Sequence, residues 1–174
     1  MSIARKPPIV SFIARSGTGK TTLVTALISE LKARGYKVGA IKHDAHKFEI
    51  DHPGKDSYRF TESGADSMLI SSNNKLAFVK QHQQTPEIDT LVSEYFADVD
   101  IVLVEGFKRL GLPKIEVHRK EHGAVLLCRG EKHDPALLAV ATDDVELKVD
   151  VPQLDLNYPA GVVDFLVAKL LAES

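Results

Sequence analysis

"ARSGTGKTT", residues 14–22, stands between the short apolar run "IVSFIA" (9–14) and a segment in which Leu23, Leu27 and Leu31 recur at helical spacing. A β-branched apolar run reads as a buried strand, and leucines four apart read as one face of a helix. Gly35 supplies the stop of that helix and "KVGAIK" (37–42) the next strand. Strand, glycine-rich turn, helix and strand within about 35 residues make a βαβ unit and imply a parallel sheet.

The turn itself has phosphate-binding chemistry. Gly19, Lys20 and Thr21 match the G-K-[ST] of the form G-x-x-x-x-G-K-[ST], with Ala14 in place of its first glycine. Gly17 and Gly19 allow the backbone of Arg15, Ser16, Gly17, Thr18 and Gly19 to turn back and aim its N–H groups at phosphate oxygens. The helix that follows adds the positive end of its dipole through Lys20, Thr21 and Thr22. Lys20 is a point charge for β- and γ-phosphates, and the Thr21 hydroxyl is a hard oxygen ligand for magnesium. The expectation is a nucleoside triphosphate bound with Mg2+ over residues 14–22.

Such a site needs a carboxylate at the C-terminal end of a neighbouring strand. "DIVLVEG" (100–106) supplies it in Glu105, assigned to the metal or its water shell, with Gly106 allowing close backbone approach. Asp44, just beyond "KVGAIK", is a second candidate for the metal shell or for orienting water, with Lys42 beside it. Arg15 is a candidate cation for developing charge, in cis or across a dimer interface.

The rest of the chain fills out one domain, residues 1–174, of α/β class: a three-layer P-loop NTPase fold, its mostly parallel sheet flanked by helices. Residues 43–55 read as a loop around Pro53-Gly54, followed by a short helix from Asp56 to Ser63. "SMLISS" (67–72) and "KLAFVK" (75–80) read as a hairpin around Asn73-Asn74. Pro86 opens a helix running to about Ala97. "KIEVHR" (114–119), "AVLLCR" (124–129) and "LLAVAT" (137–142) read as strands, and 159–172 as an amphipathic helix.

Composition bounds the function classes. A formal net charge of -2 argues against nucleic acid as the main partner. The single cysteine, Cys128, excludes an intrachain disulfide framework and reads as a buried thiol. "MSIARKPPIV" lacks a signal-peptide apolar region, and no apolar run approaches the roughly 20 residues that span a bilayer. The expectation is a cytoplasmic protein with neither a membrane nor a nucleic-acid partner.

Three segments are more specific than the phosphate-binding motif: "SGTGKTTL" (16–23), "IKHDAHKFEIDHPGKDSYRFTESGAD" (41–66) and "DIVLVEGFK" (100–108). Together they resemble the molybdopterin-guanine dinucleotide biosynthesis adapter family, MobB. The resemblance implies a dimeric GTP-binding protein with weak GTPase activity. It also implies an assisting role toward the molybdopterin guanylyltransferase, with other molybdenum cofactor assembly proteins as further candidate partners. The family motif falls on Gly17, Gly19, Lys20, Thr21, Thr22 and Glu105. An N-K-x-D guanine reader is not evident, since Asn74-Lys75 runs into Leu76-Ala77. Thr142 and Asp143, after "LLAVA", are the substitute, with a carboxylate to accept from the guanine ring N–H and amine.

Two other function classes stay open at this level. One is a small-molecule kinase, against which stands the lack of an arginine-rich lid segment. The other is a metallochaperone GTPase using His43, His46 and His52 with Asp44, Glu49 and Asp51, since imidazole and carboxylate ligate transition metals. Lys108, Arg109, Lys114, His118, Arg119 and Lys120 form a basic region read as a solvated face or as a surface for a partner or for anionic pterin.

Overall fold

The computed structural model describes residues 6–43, 48–106, 111–123, 125–130 and 133–172. The chain divides into two compact units: Met1–His43 with Val92–Ser174, and Asp44–Leu91.

The first unit is built on a six-stranded sheet in which every pairing is parallel. Its strands are β1 (Ile9–Ala14), β2 (Val38–Lys42), β5 (Ile101–Glu105), β6 (Lys114–His118), β7 (Leu137–Thr142) and β8 (Gln153–Asp155), in the spatial order β2-β5-β1-β6-β7-β8. Strand β1 is central, and all six of its residues are buried. That follows from helices and chain covering both faces, which lets a strand be apolar throughout.

On one face lie Val10, Phe12 and Ala14 of β1, Ile101 and Leu103 of β5, and Ile115 and Val117 of β6. Against them pack α1 (Lys20–Ala33), through Leu23, Val24, Leu27 and Leu31, and α4 (Pro159–Leu166), through Val162, Val163 and Leu166. Full burial of Leu27 and Leu31 contributes roughly 2 kcal/mol each. Arg34, at the end of α1, ties the two helices by donating to Asp164 Oδ1 at 2.5 Å and to the Ala160 carbonyl at 3.2 Å. Beyond Leu166 the turns widen: Ala172 N–H reaches the Val167 carbonyl at 2.9 Å, five residues back.

The other face is covered differently. Near β2 and β5 it receives Phe96, just past α3 (Ile88–Tyr95), whose ring fills the space a Cβ on Gly39 would need, beside Val102. Near β7 it receives Leu126, Cys128 and Leu147, packed with Ile13, Leu137 and Val140.

Of the stretch 124–129, expected as a strand, the described residues 125–129 do not form one. Among the described residues of that stretch, pairing is limited to an isolated bridge between Arg129 and His133. The amides of Leu127 and Cys128 donate instead to the buried carboxylate of Glu116 on β6, at 2.6 and 2.9 Å. A side chain replaces the ladder that a strand would need, while Leu126 and Cys128 still bury themselves with the alternation that suggested β structure.

The second unit holds α2 (Asp56–Glu62) and the antiparallel pair β3 (Ser67–Ser71) and β4 (Leu76–Lys80). The pair closes around Asn73-Asn74, with Ser72 N–H donating to the Lys75 carbonyl at 2.8 Å. Leu69, Ile70 and Leu76 are more than half exposed.

Candidate functional site

Strand β1 lies where the connections diverge. Its neighbours are β5 on one side and β6 on the other. In open parallel sheets the crevice at such a switch point, outside the carboxyl ends of the strands, is where ligands bind. Residues 15–19 leave β1 into that crevice and lead directly into α1.

The loop has the conformation its glycines predict. Gly17 and Gly19 have φ of 82° and 84°, in the left-handed region that a Cβ disfavours. Thr18, between them, is buried, and its hydroxyl donates to the Arg15 carbonyl at 2.9 Å, closing the loop on itself. The first intrahelical bond of α1 runs from Leu23 N–H to the Gly19 carbonyl at 2.9 Å. The N–H groups of Lys20, Thr21 and Thr22 therefore lie beyond the helical ladder. Gly19 caps the helix without a side-chain bond, and its first turn carries no acidic residue. The helix end thus keeps its positive character.

Glu105 ends β5, the strand beside β1, and its side chain arrives at this same point. The Thr21 hydroxyl donates to Oε2 at 3.0 Å, and Lys20 Nζ lies 3.5 Å from Oε1. An ammonium, a hydroxyl and a carboxylate converge at the helix N-terminus, as the sequence anticipates. The backbone behind Glu105 is tightly seated: Ser11 Oγ donates to the Gly106 carbonyl at 2.8 Å, and His43 N–H to the Glu105 carbonyl at 2.8 Å. Gly106 has φ of 111°, and a Cβ there would come within 2.8 Å of the His43 carbonyl oxygen. The hydroxyl and carboxylate oxygens are the hard donors magnesium prefers, so Thr21 and Glu105 fit that ion.

The other assigned residues divide. Ser16 and Thr22 are exposed on the loop and first helical turn. Arg15 reaches sideways, its Nη2 donating to the Val125 carbonyl at 3.2 Å. Thr142 ends β7 and Asp143 follows it, on the same sheet edge. The Thr142 hydroxyl meets His118 Nδ1 at 2.8 Å and accepts the Asp144 N–H at 3.0 Å. Asp143 accepts from Lys120 N–H at 2.9 Å and from Arg119 Nη1 at 3.1 Å. The Lys120 amide, with Arg119 beside it, holds the Asp143 carboxyl below the usual aspartate range against the opposing effect of partial burial. Asp44 lies outside the described residues, as does His46; among the described residues no group of three metal-binding side chains gathers.

The expected basic surface does not hold as a unit. Lys114 and His118 face inward from β6 and are buried. Lys114 Nζ pairs with Asp134 Oδ2 at 2.5 Å. His118 Nε2 meets the Gly123 carbonyl at 2.8 Å; a carbonyl only accepts, so this nitrogen carries the proton. Because β6 alternates, Ile115 and Val117 take one face while Lys114, Glu116 and His118 take the other, where each is satisfied. Lys108 and Arg109 are outside the described residues.

Arg119 is only partly exposed and does not belong to a separate surface. It lies across the 15–19 loop, Nε donating to the Thr18 carbonyl at 3.1 Å. His122 follows in a 3₁₀ turn, with its ring 3.8 Å from where a Cβ on Gly17 would sit. Both residues follow the end of β6, which the sheet places beside β1, a neighbourhood that residue spacing does not record. Two shallow hollows lie here, the first beside the loop and the second beside the end of β7. One, of about 220 Å³, is lined by Gly19, Thr22, Arg119, Asn157 and neighbours. The other, of about 390 Å³, is lined by Thr142, Asp143, Val145, Gln153, Asn157 and neighbours. They share Asn157. A larger cleft of about 570 Å³, lined by Lys6, Arg34, Tyr36, Asp100 and others, includes Pro8 and Asp100, which precede β1 and β5, and so lies at the opposite sheet edge. Among the described residues, no helix is long and apolar enough to cross a membrane.

Comparison with known proteins gives the chain's family. Residues 9–143 match the family model for molybdopterin guanine dinucleotide synthesis protein B. The chain is similar to the molybdopterin-guanine dinucleotide biosynthesis adapter protein of Escherichia coli (strain K12), with 39% identity over 168 residues, 92% of this chain and 91% of that one. It is likewise similar to the protein of that name from Haemophilus influenzae, 36% identical over 160 residues, covering 91% of this chain and 87% of the relative. Among solved structures, a crystal structure of molybdopterin-guanine biosynthesis protein B superimposes with a TM-score of 0.72 at 28% identity, covering 92% of this chain and 98% of the other.

Proposed function

The chain belongs to the molybdopterin guanine dinucleotide synthesis protein B family, and from that premise we propose that it is an adapter in molybdopterin guanine dinucleotide biosynthesis. It binds GTP with magnesium at residues 14–22, hydrolyses it slowly, and assists the guanylyltransferase that attaches GMP to molybdopterin. The observation that carries this reading is the convergence of Lys20 and Thr21 on Glu105 at the N-terminus of α1.

The roles follow from the chemistry of the residues. The N–H groups of the loop and the first turn of α1 bind the phosphates, and Lys20 adds its charge at the β- and γ-positions. Thr21 and Glu105 would hold magnesium, which supplies neutralisation of phosphate charge. The hollows that run from Gly19 and Thr22 to Asp143 by way of Asn157 support a nucleotide lying along the sheet edge, phosphates at the loop and base near Thr142 and Asp143. The Asp143 carboxylate, held ionised, is suited to accept from the guanine N–H groups. Asp44 is the further candidate for orienting water. Arg15 is the candidate cation across an interface between copies, and a site completed only by a partner accounts for slow turnover alone.

The second unit supports a homodimer. A two-stranded sheet is marginal by itself. This one exposes Leu69, Ile70, Leu76 and Phe78, which suits an interface with a second copy.

Titration calorimetry with GTP, ATP and GDP, each with and without magnesium, tests the binding site. GTP should bind most tightly and only with magnesium, and Lys20→Ala should lose binding while remaining folded. Equal affinity in that variant removes the site assignment. Turnover and co-purification measured with and without the guanylyltransferase test the adapter role. A partner that neither binds nor changes turnover removes it.

A further inference from the structure

Arg119 joins two parts of the sheet edge that are far apart in sequence. Nε donates to the Thr18 carbonyl at 3.1 Å and Nη1 to Asp143 Oδ2 at 3.1 Å. Nη2 lies 3.3 Å from the position a Cβ would take on Gly19, so the guanidinium is seated against the loop backbone. Its far end is anchored, because the second oxygen of Asp143 accepts the Lys120 N–H at 2.9 Å. The Thr18 side chain is held as well, 2% exposed and bonded to the Arg15 carbonyl.

The consequence lies in one peptide plane. The chain contains no cis peptide among its described residues, and in a trans peptide the C=O and the following N–H point in opposite directions. The Thr18 carbonyl and the Gly19 N–H share such a plane. Holding the carbonyl toward Arg119 therefore turns the Gly19 N–H the other way. A planar guanidinium can serve a carbonyl and a carboxylate together in fixed geometry, whereas an ammonium on a flexible stem cannot.

We propose that Arg119 is a positioning residue of the phosphate site: braced on Asp143, it locks the Thr18–Gly19 peptide so that the Gly19 amide is preset to donate to the phosphates of a nucleoside triphosphate. The proposal rests on the nucleotide-binding reading and deepens it. It also makes Asp143 a contributor to phosphate affinity, separately from any contact with a base.

The test uses the full chain and two probes with magnesium: GTP, and inorganic tripolyphosphate, which carries the phosphates without a base. The variants are Lys20→Ala, Arg119→Ala, Arg119→Lys, Asp143→Ala and the Arg119→Ala/Asp143→Ala double variant, with the thermal midpoint of each recorded without ligand. Wild type should bind both probes and Lys20→Ala neither. Arg119→Ala should weaken tripolyphosphate by about tenfold, the scale of one charge-assisted hydrogen bond. Arg119→Lys should not restore it. Asp143→Ala should weaken tripolyphosphate in the same direction, and the double variant should be no weaker than Arg119→Ala alone, because the two residues act through one clamp. Three results would each overturn the proposal while leaving the nucleotide site intact: wild-type tripolyphosphate affinity in Arg119→Ala, full restoration by lysine, or additive losses in the double variant. Should Arg119→Ala fail to fold, Asp143→Ala decides, since it removes the brace and leaves Arg119 in place: unchanged tripolyphosphate affinity there overturns the proposal too. If wild type binds neither probe, the nucleotide reading itself falls, and this inference with it.

Discussion

Asp143 shows how much one side chain can be asked to do. Its two oxygens take the Lys120 amide and the Arg119 guanidinium, and these hold its carboxyl below the ordinary aspartate value of 3.8. A group whose folded pKa is depressed contributes stability above its unfolded pKa, and that contribution is lost as pH falls through the folded value. Asp143→Asn should therefore lower the thermal midpoint at neutral pH and flatten its acid decline, leaving wild type and variant converging below pH 3.8. A constant gap between the two curves down to the lowest pH would contradict the assignment. Cys128 is the opposite case. Burial first, then the charges of Glu116 and Asp134, push its thiol up to about 12, as expected of a core residue. At this scale Lys20, Thr21 and Glu105 were legible because each belongs to a motif or to the end of an apolar run. Arg119 was not. Its role depends on β6 being the neighbour of β1, and no local pattern carries that information.

At the scale of elements, periodicity succeeded for β1 and α1, each of which buries a regular face, whereas the largely exposed hairpin was legible through its Asn73-Asn74 turn. Periodicity failed at 124–129, where apolar alternation is present but the amides bond to a side chain. Glu116 is the pivot, buried at 3% exposure and accepting from both Leu127 and Cys128. Glu116→Gln replaces one accepting oxygen with an amide that can only donate, leaving one buried N–H without its partner. The expected loss is about 1–3 kcal/mol in urea unfolding, from a fall in the midpoint with little change in slope. A loss within experimental error would mean that the segment is held by its apolar residues alone. Strand β8 escaped notice for a simpler reason: three residues, Gln153–Asp155, are too few to show a period.

For the molecule as a whole, the order β2-β5-β1-β6-β7-β8 places the ends of β1, β5, β6 and β7 on one edge. The proposed dimer is tested at the exposed apolar residues of β3 and β4. Light scattering should give the mass of two chains, and Leu69→Lys combined with Leu76→Lys should give one, with the circular dichroism of the wild type. A dimer unaffected by the pair would move the interface elsewhere. Residue order by itself determined the βαβ start, the glycine loop with its helix, and the acidic end of β5, because each rests on local spacing and on backbone freedom at particular glycines. Only the tertiary structure decided which strands are neighbours, that Lys114 and His118 point inward, and that Arg119 spans from Thr18 to Asp143. The physical reason is that pairing in a parallel sheet and the satisfaction of buried polar groups are settled between segments from about 20 to about 100 residues apart, where chain spacing carries no record of distance in space.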